Sequence, residues 1–123
     1  MTAAAAVLHR LHQAVESPRA HGPQLGTWRW TVRQHMAGLR DLLVSETAQH
    51  ENAWLAARGG SVLRERTALL SRLSRLGPRV LESEEIEELR AELRRLICDV
   101  RHHVQRLHDL AYDEVEMEIG GSE

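Results

Sequence analysis

At 123 residues, with 42% apolar side chains and a formal net charge of -2, the chain is sized for one domain around one core and lacks the basic excess of a nucleic-acid binder. Phe is absent, aromatics amount to 3% and only three prolines occur, a composition that excludes a sheet-rich fold and selects an all-α one. The single cysteine, Cys98, excludes an intrachain disulfide, and no apolar run has the length of a membrane span or a signal segment, so a cytoplasmic protein with no membrane partner is expected.

The first predicted helix covers Thr2 to Glu16, with Leu8, Leu11 and Val15 on one stripe, and ends before Ser17-Pro18. A loop with Pro18, Gly22, Pro23 and Gly26 leads to Thr27, the expected N-cap of a long helix reaching about Arg58. Its core line reads Trp28, Val32, His35 or Met36, Leu39, Leu42 or Leu43, then Glu46. Gly59-Gly60 is expected to stop it, and Ser61 to cap a short third helix from Val62 to Leu76 that Gly77-Pro78 ends.

Ser83, followed by Glu84 and Glu85, opens the last helix, because acids suit the positive end of the helix dipole. Its core line is Leu89, Leu93, Leu96, Val100, His103, Leu107 and Leu110. Beyond Tyr112 the strict alternation Glu114 to Ile119 has the period of extended chain, so residues 113–123 are expected as an extended tail, with the boundary open between Tyr112 and Ile119. The predicted fold is a single-domain, up-down four-helix bundle with helices in the order short, long, short, long.

Eight histidines are many for this length, and the stripes place His35, His50 and His103 inward. Buried imidazoles need partners, and helical bundles commonly supply them as metal sites. The bland alternative is a hydrogen-bonded structural histidine. Cys98 lies off the core line without a catalytic partner and reads as a packing residue. Trp28 and Trp30 stand about 200° apart on a helix, so one of them faces away from the core. Arg64, Arg72, Arg75 and Arg79 form a basic side that an antiparallel hairpin would set beside Glu82, Glu84, Glu85, Glu87 and Glu88. All sixteen basic residues are Arg, which reads as the codon bias of a GC-rich bacterial genome.

Several of these residues resemble the hemerythrin-like, cation-binding helical bundle family. Leu8, His12 and Val15 fit its first helix; Glu46, His50, Glu51, Trp54 and Leu55 fit its second with His and Glu exchanged. Where the third helix has Glu-His this chain has Glu65-Arg66, and the fourth offers His103 with Leu107 and His108. The stretch Asp109-Leu110, Tyr112 and Ile119-Gly120-Gly121 is similar to a bacterial subgroup.

The resemblance implies a metal set of His12, Glu46, His50, His103 and His108, with Glu65, Asp109 and Arg66 beside it or in place of the ion. It implies one iron or zinc ion, or none, and a binding or sensing module with no catalytic residue assigned. Two other readings stay open: a di-iron protein handling oxygen species or nitric oxide, and a metal-free homodimeric interaction bundle. A dimer is the expected assembly in either event, because long helices outreach short ones.

Overall fold

The computed structural model describes residues 2–49 and 59–121, with side chains for 2–18, 20–45 and 60–110. Among the described residues all regular structure is helical: α1 (Ala3–Glu16), α2 (Leu25–Gln49), α3 (Gly59–Glu82) and α4 (Ile86–Gly121). Each packs on the next, and α1 closes on α4. The architecture is the expected all-α four-helix bundle.

Thr2 starts α1 by accepting the Ala5 N–H on its hydroxyl at 3.0 Å, which satisfies one of the donors a helix start leaves open. Two single 3-10 turns, Pro18–Ala20 and Gly22–Gln24, then reverse the chain. Gly22 allows the reversal, since its φ of 65° lies in the left-handed region. Thr27, expected as a cap, already lies inside α2, and its carbonyl accepts the Thr31 hydroxyl at 2.8 Å. The 3-10 turn supplies the preceding bonds, so α2 starts two residues earlier. The expected end of this helix near Arg58 lies outside the described residues.

The third helix departs most from expectation. Gly59 and Gly60 form its first turn, Ser61 lies within it, and it continues through Gly77-Pro78 to Glu82, giving 24 residues instead of a short rod. Proline removes one intrahelical hydrogen bond and clashes with the Cβ of the residue before it. Gly77 has no Cβ, so half of that conflict disappears. Over the described residues the helices are therefore 14, 25, 24 and 36 residues long, and the order short, long, short, long is corrected to one short helix and three long ones. At the tail α4 continues to Gly121, and the alternation after Tyr112 does not make the expected extended chain.

The core follows the stripes. Trp28, Val32, Met36, Leu39 and Leu43 are buried on α2, which decides Met36 over His35 and Leu43 over Leu42. Leu89, Leu93, Leu96, Val100, His103 and Leu107 are buried on α4, and Leu110 is half-buried. Each fully buried Leu contributes about 1.5–3 kcal/mol by leaving water. No helix is long and apolar enough to cross a membrane among the described residues.

Arginine forks bind helix ends to neighbouring helices. Arg29 donates to Val80 O at 2.9 Å and Ser83 O at 2.6 Å, at the end of α3. Arg90 donates to Val15 O at 2.8 Å and Ser17 O at 2.6 Å, at the end of α1. A cation on the last carbonyls of a helix also opposes the negative end of its dipole. These contacts fix the antiparallel register on which the site depends.

Candidate functional site

His103 is fully buried on the inner face of α4, where the apolar line would otherwise hold another Leu. Its Nδ1 lies 2.5 Å from Glu65 Oε1 on α3. An ionised carboxylate only accepts, so Nδ1 carries the proton and, in the neutral ring, Nε2 carries the lone pair. Arg106, one turn further along α4, donates to Glu65 through Nε at 3.2 Å and Nη2 at 2.5 Å, one contact to each oxygen. Burial pushes the Glu65 carboxyl up, but Arg106 and His103 outweigh it and hold it below the ordinary carboxylate range. The result is a line of three polar side chains from the core to the surface.

Arg66 faces α2, donating through Nη1 to Leu43 O at 3.3 Å and Val44 O at 3.4 Å. It does not pair with Glu65, whose guanidinium partner is Arg106. Glu46 belongs to α2, one turn beyond Leu43, but its side chain and the whole of His50 lie outside the described residues, as do Glu51, Trp54 and Leu55. The described members of the expected metal set stand apart. His12 is half-buried on α1 with Nε2 3.8 Å from Glu16 Oε1. His108 is exposed beside His9 in a groove of about 490 Å³ between the start of α1 and α4. Asp109 is exposed and accepts from Gln105 Nε2 at 3.0 Å.

Among the described residues, no three His, Cys, Asp or Glu side chains are grouped to hold a metal ion. His35 is half-buried, and Cys98, read as a packing residue, is exposed because it points away from the Leu96, Ile97 and Val100 stripe. Trp28 is buried and Trp30 is 63% exposed, as their angular separation requires.

Sequence reasoning missed Arg106. Its signal was its place three residues after His103, which puts it on the same side of α4 and within reach of any acid that faces His103. Of the basic side of α3, Arg72 and Arg79 are paired across the hairpin, with Asp99 and Glu92 rather than the acids that open α4.

Fold and site together define an antiparallel four-helix bundle with a His-carboxylate-Arg line that runs from the core to the surface. The chain matches no family model, no curated protein and no solved structure.

Proposed function

We propose that this protein is a hemerythrin-like binding or sensing module whose metal site is lost or reduced to one ion, without turnover of its own. The observation that carries this reading is the Glu65 contact to His103 Nδ1. A carboxylate on one ring nitrogen orients ligating histidines in metal proteins. In this chain the same carboxylate is matched by the Arg106 guanidinium, a fixed cation that repels a divalent ion and remains charged at any ordinary pH. The arrangement therefore favours a structural or single-ion role over a paired-iron one.

Metal content of protein purified without an affinity tag tests the reading. One iron or zinc per chain, or none, is the expected result, and two irons per chain would transfer the argument to a di-iron protein. Arg66→His supplies a second measurement. If Glu46, His50 and His103 converge, adding an imidazole on α3 raises metal uptake; equal, near-zero content in both proteins leaves only the metal-free form.

That metal-free form has its own support. Trp30, Val44, Leu63 and Leu81 are large, exposed and apolar on α2 and α3, as in an interaction bundle that buries them against a second copy.

A further inference from the structure

The α3–α4 hairpin carries charged rungs on its outer face. At one rung Arg79 Nη1 lies 2.5 Å from Glu92 Oε2, and at another Arg72 Nη1 lies 2.7 Å from Asp99 Oδ2. Arg75 stands between Arg72 and Arg79 on α3, and Arg95 stands between Glu92 and Asp99 on α4. The antiparallel register that makes the outer rungs therefore sets guanidinium against guanidinium in the middle one. Among the described residues, neither Arg75 nor Arg95 makes a hydrogen bond or ion pair, and both are exposed.

These side chains open on a shallow groove of about 490 Å³, lined by Arg72, Arg75, Leu76, Arg79, Glu92 and Arg95. Four guanidiniums and the Glu92 carboxylate line it, Asp99 holds Arg72 from beside it and Glu88 acts on Arg79, which leaves the lining net positive. A single acid at position 75 or 95 would have completed the ladder. Like charges opposed across a hairpin are unfavourable unless something negative sits between them.

We propose that the groove binds a compact phosphoryl dianion, either free phosphate or the phosphate end of a small ester, bridged by Arg75 and Arg95. A phosphoryl group carries about -1.5 to -2 charges at neutral pH, which suits a net positive lining, and its oxygens suit the planar guanidinium fork. An extended polyanion is disfavoured because Glu92 and Asp99 interrupt the basic strip on either side. This site is separate from the Glu65 and His103 pair and does not depend on any metal there.

Calorimetric titration of the full chain with inorganic phosphate, at pH 7.5 and constant ionic strength, tests the proposal. The wild type is expected to give saturable binding, and the double variant Arg75→Gln with Arg95→Gln to bind at least about tenfold more weakly. Arg40→Gln, an exposed change on α2, should bind as the wild type does. Arg95→Glu reverses one of the two bridging charges, so it should abolish phosphate binding. Glycerol phosphate is expected to compete for the same site. An absence of saturable binding, equal binding by the double variant, or tighter binding of a single-stranded oligonucleotide than of phosphate would each overturn the assignment.

Discussion

Arg90 and His103 are the buried charged or polar side chains among the described residues, and each answers a different demand. Arg90 brings its charge into the bundle to bind the carbonyls of Val15 and Ser17, pairs with Glu87 and lies 6.0 Å from the Trp28 ring centroid. Hydrogen bonds to a charged donor contribute about 1.5–3 kcal/mol, and truncation also takes this donor from the buried Val15 carbonyl. Arg90→Ala is therefore expected to lower stability by about 3 kcal/mol in urea unfolding, with Arg90→Lys recovering less than half, because a point charge cannot span two carbonyls. Glu65 gives a pH signature. Its carboxyl is held below the ordinary value of 4.5 in the folded protein, so folding gains from its ionised form above that value. The gain is lost as pH falls from about 4.5 through the lower folded value. Unfolding midpoints of wild type and Glu65→Gln should differ at pH 7, and the gap should close on acidification below pH 4.5; a gap independent of pH would deny Glu65 that role. His103 was legible in the sequence because it fell on an otherwise apolar helical line. Arg90 was not, since a long side chain that reaches backbone carbonyls on another helix leaves no spacing signal, and Arg106 offered only its place three residues after His103.

At the scale of the element, the lesson comes from Gly77-Pro78, a pair that usually ends a helix and here sits inside one. Tertiary packing decides the outcome: Val80 is fully buried beyond the break, and Arg29 fastens its carbonyl to α2. Gly77 also lies against Arg33, where an added Cβ would come within 3.2 Å of the guanidinium carbon. Pro78 itself is exposed, so burial of its ring does little to offset the lost hydrogen bond. Pro78→Ala should accordingly raise stability by about 1–3 kcal/mol, measured by urea unfolding, with unchanged helical signal. Gly22→Ala should act in the opposite sense, by about 1 kcal/mol, since an added Cβ meets no neighbour and only the positive φ of 65° opposes it. Helix existence and core faces were legible because they follow from periodicity. Helix ends were not, because they depend on which breaker the neighbouring helices override.

For the whole molecule, the register of four antiparallel helices decides what can meet what. The expected gathering of His12, His103 and His108 required a vertical match that spacing within single helices does not contain. Arg94 donates to both oxygens of Glu16, at 2.5 Å and 2.9 Å, which fixes the end of α1 beside the first half of α4 and leaves His12 pointing along its own helix toward Glu16. Length matters in the same way. At about 1.5 Å per residue, α4 is longer than α1 by about 33 Å, and the start of α1 is already reached beside His108. The exposed apolar residues are distributed to match. Trp30 and Leu81 stand at one end of the α2–α3 face, as the contact from Arg29 to Val80 requires, and Val44 and Leu63 stand toward the other, near the contact from Arg66 to Val44. A two-fold axis through the middle of this face would bring the Trp30 end of one copy onto the Val44 end of the next, burying both at once. Light scattering is therefore expected to give a dimer whose population rises with concentration. Trp30→Gln should shift it toward monomer without lowering the melting temperature of the dilute protein, because Trp30 takes no part in the core. A monomer at high concentration, or a dimer indifferent to Trp30→Gln, would place the contact elsewhere.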